Sequence, residues 1–317
     1  MNAGRIAILV PCRNAGALLS ETVESAAGSG LSPDVYAWLI SDNASDDGST
    51  ASLPGEDANG APVILSRNST NLGRVENWNC AVRAAENMGF SYAFFLMAGD
   101  LLNGDGLIRL RAQMDGAGAF LGLGSYDVVD SQLRRVRTAR RLAWKNNAES
   151  IIGVPAFIAQ SFAVGGMLFG PLCANLYRLD DAVHLRFDPS DPSHTDQRAT
   201  AGFACTAARP IVYADHVLSR WRARPDRFHG GMNHWDRLQG DMRTIDACCR
   251  AAGVLPDCNR IAATFLLRTL SQRGVRSPSQ LRHLLVQHRQ FTLSSYAWAA
   301  KLFWRRTRYG TPWLITA

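Results

Sequence analysis

Tyr92-Ala93-Phe94-Phe95-Leu96-Met97 is an uninterrupted apolar run that breaks abruptly into Ala98-Gly99-Asp100. A run this short, rich in aromatic residues and closed by Gly, reads as a buried strand rather than a helix. Strands of that kind lie in parallel sheets flanked by helices, and such sheets take their ligands in the crevice outside the carboxyl ends of the strands. Asp100 therefore falls at the expected site, where this reading leaves its carboxylate exposed. The same Gly-Asp pair also suits a turn or a helix cap, so the other strand ends decide.

Working outward, Arg5 to Val10 reads as a first strand that ends at Pro11-Cys12-Arg13-Asn14. Leu18, Leu19, Val23 and Ala26 then recur at helical spacing, and Ser29-Gly30 stops the helix. Trp38 to Ile40 is a second strand, ending at Ser41-Asp42-Asn43-Ala44-Ser45-Asp46-Asp47-Gly48, and Val63 to Leu65 is a third. After the polar loop Arg67 to Gly73, Val75, Trp78, Val82 and Ala85 mark a second amphipathic helix. Strand and helix in alternation predict an α/β sheet with right-handed crossovers. Three strand ends then bring compact polar clusters, at Arg13-Asn14, Asp42-Asn43 and Asp100, to one edge, which favours a site over three separate turns.

Composition sets the bounds. The chain has 317 residues, 47% of them hydrophobic, enough for a large core. The N-terminal apolar run is too short for a signal sequence, so a cytoplasmic setting is expected. Seven cysteines at scattered positions support neither a zinc site nor a disulfide frame. The net charge of +7 is unevenly placed: residues 258–317 carry ten basic and no acidic side chains. There Phe291, Tyr296, Trp298, Phe303 and Trp304 interleave with Arg289, Lys301, Arg305, Arg306 and Arg308. That mixture suits an anionic membrane surface, or helices that cap the main domain. Nucleic acid is not expected, since no groove-reading or single-strand motif appears.

Pro11-Cys12-Arg13-Asn14, Ser41 to Gly48, Arg67-Asn68 with Asn71-Leu72-Gly73, and Phe95-Leu96-Met97-Ala98-Gly99-Asp100, in this order and spacing, resemble family 2 glycosyltransferases of the GT-A fold. The resemblance covers roughly residues 5 to 230 and implies a Rossmann-like, mixed but mostly parallel sheet flanked by helices. It divides the chain into a GT-A domain at 1–232 and a basic, aromatic, helical C-terminal extension at 233–317. By the same resemblance, Arg13 and Asn14 line a nucleotide pocket, Asp42 accepts a hydrogen bond from the base, and Asn71 and Gly73 lie against the nucleotide. The family's Asp-x-Asp element holds a divalent cation on the diphosphate, which stabilises the charge of the departing group. Here Leu96-Met97-Ala98-Gly99-Asp100 stands against Leu-Asp-Ala-Asp-Asp, so Asp100 is the one carboxylate left to ligate Mg2+ or Mn2+.

Further on, residues 119–137 fit a strand pair followed by the basic run Arg134 to Arg141, read as a solvated face. Ile151 to Tyr177 holds no charged residue over 27 positions. Its Pro and Gly interruptions favour a buried helix, then Met167-Leu168-Phe169 near an acceptor site, over a membrane span. In Asp191-Pro192-Ser193-His194-Thr195-Asp196-Gln197 the resemblance places the general base at Asp196, ahead of Asp191 and Asp188; helix capping is the alternative. Val212-Tyr213 matches the last sheet strand. Ser219-Arg220-Trp221-Arg222 with Phe228-His229 matches a loop over the diphosphate, where Arg220 and Arg222 would pair with phosphate and His229 would supply a second metal ligand.

The reading is an inverting glycosyltransferase that moves a sugar from a nucleoside-diphosphate sugar to a glycan or lipid-linked acceptor. Its expected setting is cell-surface polysaccharide assembly at the inner face of a membrane. Two rival readings fit the same sequence: a nucleotidyltransferase, which would need a Gly-rich basic loop after the first strand, and a non-catalytic sugar-nucleotide binder or scaffold, which the reduced metal motif favours.

Overall fold

The computed structural model describes residues 2, 4–139, 150–163, 169, 171–179, 182–190, 195–223 and 247–253. At its centre is β1 (Ile6–Cys12), every residue of it buried, between parallel β2 (Tyr36–Asp42) and parallel β4 (Tyr92–Phe95). β3 (Val63–Arg67) extends the parallel set beyond β2. On the far side of β4 the sheet turns mixed. β9 (Asn175–Arg178) runs antiparallel between β4 and β6 (Leu121–Val129), and β10 (Ile211–Arg222) runs parallel to β6. Three short strands complete the ten-stranded sheet: β5 (Leu101–Leu102) and β8 (Ser150–Ile152) on β10, and β7 (Arg135–Ala139) on β6.

Both faces are covered, which is why the strands read as continuous apolar runs rather than alternating ones. On one face Ile6, Ile8 and Val10 pack against α1 (Ala17–Glu24) and α3 (Gly104–Ala117) through Leu19, Val23, Leu107, Leu110 and Met114. On the other, Ala7 and Leu9 join α2 (Arg74–Asn87), α4 (Val154–Ala163) and α5 (Thr195–Ala207) through Trp78, Val82, Phe157 and Phe203. Cys248 and Cys249 are buried in this second cluster, so the chain beyond residue 232 contributes to the same core. The rest of the C-terminal segment, with its aromatic and basic residues, lies outside the described residues.

Two elements differ from expectation. β2 starts at Tyr36 rather than Trp38 because both rings are fully buried and share one carboxylate: Asp57 accepts from the Tyr36 hydroxyl at 2.5 Å and from Trp38 Nε1 at 2.7 Å. β10 continues through Arg222, so Ser219 to Arg222 is strand and not a loop. The Ser219 hydroxyl donates to the Cys173 carbonyl at 2.6 Å, and Ser219 and Arg220 pair with Leu102 and Leu101. The described residues of the Ile151–Tyr177 stretch include the end of β8, the ten-residue α4, a short turn of 3-10 helix at Leu172–Ala174 and the start of β9; Met167 and Leu168 lie outside the described residues. Among the described residues no helix is long and apolar enough to cross a membrane.

α3 approaches β10 so closely that a Cβ on Gly106 would stand 1.9 Å from the Val217 carbonyl oxygen. Gly106→Ala is therefore expected to destabilise the fold by about 1–3 kcal/mol, read as a lowered urea midpoint at unchanged slope.

Candidate active site

The carboxyl ends of β1, β2, β3 and β4 share one edge, and polar side chains tie those ends together. Asp42, the last residue of β2, is fully buried. Its Oδ1 accepts from the Ser45 amide at 3.1 Å and from the Ser45 hydroxyl, while Oδ2 faces Arg67 Nη1 at 3.1 Å. A buried carboxylate needs such partners, because desolvation would otherwise disfavour its charged form. Arg67 ends β3 and also donates to the Ser45 carbonyl at 2.6 Å, locking the turn after β2.

β1 is fastened to the same turn. Asn14 adopts a positive φ of 51°; its backbone N–H donates to Ser45 Oγ at 2.9 Å, and its amide bonds reciprocally with Asp46 at 2.8 and 3.0 Å. Gly16 N–H donates to Asp47, whose carboxyl lies below its ordinary range because the Ser49 side chain and backbone, then Gly16, hydrogen-bond it. Both ends of the Asn14 amide thus hold the loop. Arg13 beside it is exposed and makes no hydrogen bond or ion pair among the described residues. Burial, with Asp42 and then Asp47 nearby, pushes the Cys12 thiol up to about 12, so it is a packed, neutral group rather than a nucleophile.

Buried amides link this turn to the loop before α2. Asn43 Nδ2 donates to Asn71 Oδ1 at 2.8 Å and to the Gly73 carbonyl at 3.2 Å, and its Oδ1 accepts from the Leu72 amide at 2.9 Å. Asn77, on the buried side of α2, bonds the Ser41 carbonyl at 2.9 Å and accepts from the Ser41 hydroxyl and from Asn68. Asn71 and Gly73 are thus brought to the turn that follows Asp42. The hub is Asn43, whose importance lies in contacts nearly 30 residues away and is not visible in its own motif. Asn43→Ala leaves the Leu72 amide and its partners without that acceptor; an expected loss of about 1–3 kcal/mol would appear in denaturant unfolding.

Asp196 stands in the first turn of α5, half-buried, where a carboxylate is favoured by the helix dipole. Its charged neighbour is Arg74, the first residue of α2. Burial draws the Arg74 guanidinium down and the Asp196 charge opposes that shift. The segment leading to α5 is pinned to α2 by Asn79, which bonds both the carbonyl and the amide of Phe187 at 2.9 and 2.8 Å. Asp188 is engaged in its own turn, accepting from the Ser190 amide and hydroxyl. Asp191 and His229 lie outside the described residues.

Asp100 is not the exposed carboxylate expected at the strand end. It is fully buried: Oδ1 accepts the Arg222 amide at 3.0 Å, and its carbonyl lies 3.0 Å from the Thr22 hydroxyl, which itself accepts from Gly99 N–H at 2.7 Å. Gly99, at φ 92°, turns the chain back toward α1. Arg222 is in turn paired with Glu21 at 2.5 Å, and Arg220 donates to the Leu133 carbonyl. Among the described residues no three His, Cys, Asp or Glu side chains come together to hold a metal. Mg2+ is ordinarily held by one or two carboxylates together with substrate phosphates and waters, and a carboxylate that is fully buried with Oδ1 on the Arg222 amide is not presented to a diphosphate.

The glycosyl transferase family 2 model matches residues 7–168. The chain belongs to this family. Among solved structures, this family 2 glycosyltransferase is similar to residues 1–349 of S. aureus TarS in complex with UDP-GlcNAc. The TM-score is 0.63 and the identity 19%, over 84% of this chain and 73% of that one. The TarS 1–349 complex with UDP gives 0.56 and 17%, over 97% and 92%. Against the longer TarS crystal structure the values are 0.56 and 18%, over 92% of this chain and 54% of that one. These likenesses establish the GT-A fold. No curated protein sequence matches the chain.

Proposed function

We propose that this family 2 glycosyltransferase inverts the anomeric centre, with Asp196 as general base. The reading is supported by the position of Asp196 in the first turn of α5, where its charge acts on Arg74, the residue that directly follows the Asn71–Gly73 loop tied to Asp42's turn. In this reading its carboxylate serves the edge where the strand ends converge. An acceptor hydroxyl attacks the anomeric carbon and forms the new C–O bond. The bond to the diphosphate oxygen breaks, its electron pair leaves with the nucleoside diphosphate, and the hydroxyl proton passes to Asp196. In this proposal Asp42, Asn71 and Gly73 shape the nucleotide pocket, Asn14 holds its floor, and Arg13 reaches the donor. Arg220 and Arg222, being engaged in the sheet, act on the donor through the shape of the edge.

The acceptor is proposed as a glycan or lipid-linked hydroxyl of cell-surface polysaccharide assembly, approached from a membrane face by the basic, aromatic C-terminal segment. The donor would be a nucleoside-diphosphate sugar. Incubating the full chain with UDP-, GDP- and dTDP-sugars and following nucleotide release, with the anomeric configuration of the product read by NMR, tests the reaction. An inverted product is expected. A retained configuration overturns the single-displacement reading, and no turnover with any donor or acceptor favours a binding protein.

A further inference from the structure

We infer that the negative charge gained by the departing diphosphate is met by the guanidinium of Arg13, and that the reaction at this edge runs without a divalent cation. The inference rests on the nucleotide-sugar reading above and deepens it. A cation bridging the diphosphate would have to be held at the turn after β4, and that turn offers it little. Met97 and Ala98 carry no side-chain donor, the Met97 carbonyl already accepts the Asp100 amide at 2.8 Å, and Gly99 has no side chain. Asp100 points inward and bolts the turn to β10 and α1. Freeing it for a metal would break its bond to the Arg222 amide and uncover a buried segment.

The adjacent strand β1 carries a permanent cation just past its carboxyl end. β1 and β4 run parallel with Leu9 opposite Phe95, and Leu96 N–H donates to the Leu9 carbonyl at 2.9 Å. Arg13 directly follows Cys12, the last residue of β1, so it stands at the same sheet edge as the turn after β4. Among the described residues, Arg67 is engaged with Asp42, Arg222 with Glu21 and Arg220 with the Leu133 carbonyl, and Arg74 is within reach of the Asp196 charge. Arg13 is exposed and has no ion pair among the described residues, while its neighbour Asn14 is clamped to Ser45 and Asp46, so the backbone beside it is held and its side chain reaches outward. A guanidinium stays charged, and its fork matches two phosphate oxygens. The step balances as written for the base: the C–O pair leaves on the diphosphate, its added charge facing Arg13, and the acceptor proton goes to Asp196.

Calorimetry of the full chain with UDP, GDP and dTDP, each in EDTA and in Mn2+, tests this directly. At least one diphosphate should bind with the same Kd in both, and transfer should survive EDTA. Arg13→Ala should weaken that binding about ten- to a hundredfold, with unfolding temperature unchanged because the side chain is exposed, and Arg13→Lys should recover part of the loss. Binding or transfer that requires Mn2+, or wild-type affinity in Arg13→Ala, overturns the inference while leaving the nucleotide-sugar reading intact. Absence of binding by every diphosphate in both conditions overturns that reading, and the inference with it.

Discussion

Asp196→Asn should lower kcat by about a hundred- to ten-thousandfold while leaving nucleoside-diphosphate affinity and the unfolding midpoint close to wild type. Asparagine keeps the size of the side chain and its place in the first turn of α5, yet its amide cannot take up the acceptor proton. The defect should therefore lie in the chemical step, with kcat and kcat/KM falling together, as when a group acting only in the transition state is lost. Asp188→Asn is the control, since Asp188 accepts bonds from Ser190 within its own turn. Single-turnover measurements separate the two outcomes. A full-speed chemical step in Asp196→Asn would remove the base assignment, and loss of diphosphate binding would recast Asp196 as part of the donor pocket.

Much of the architecture was legible in the sequence because burial on both faces leaves a plain mark. β1 and β4 are short apolar runs, and their alternate residues feed two separate core clusters. The motif residues around Asn14, Asp42 and Asn71 were likewise legible by type and spacing. What escaped was set by partners far away in the chain. Tyr36 belongs to β2 because Asp57 satisfies its hydroxyl, and Ser219 to Arg222 are strand because Leu101, Leu102 and Asp100 accept or pair with them across more than a hundred residues. Asp100 shows the limit most clearly. The position of an acidic residue after a strand predicts exposure, but the positive φ of Gly99 and the Thr22 hydroxyl turn it inward. The ion pairs Asp42–Arg67 and Glu21–Arg222 are equally invisible to local pattern, and they decide which arginines remain available to a ligand.

Phe187→Ala is expected to destabilise the protein by about 3–5 kcal/mol and to slow transfer as well. The ring is 2% exposed and stands edge-on to two others: Trp78 of α2 at 5.3 Å and Phe95 of β4 at 5.6 Å, with Trp78 and Phe95 themselves 6.4 Å apart. Removing it opens a void that the flanking sheet and helix fill only in part. The same residue bonds Asn79 through its own amide and carbonyl and lies eight residues before the start of α5. Loosening it should let the segment that carries Asp196 shift relative to Arg74. A double-mutant cycle with Trp78→Leu isolates the pairwise term, expected near 0.5–1.5 kcal/mol. The functional half of the prediction is read at a temperature where the variant is fully folded. There kcat should drop while nucleoside-diphosphate affinity holds, because Asp42, Asn43 and the Asn71–Gly73 loop are braced by their own network and do not lean on Phe187. Unchanged kcat in a destabilised variant would mean that Asn79 alone suffices to seat the approach to α5.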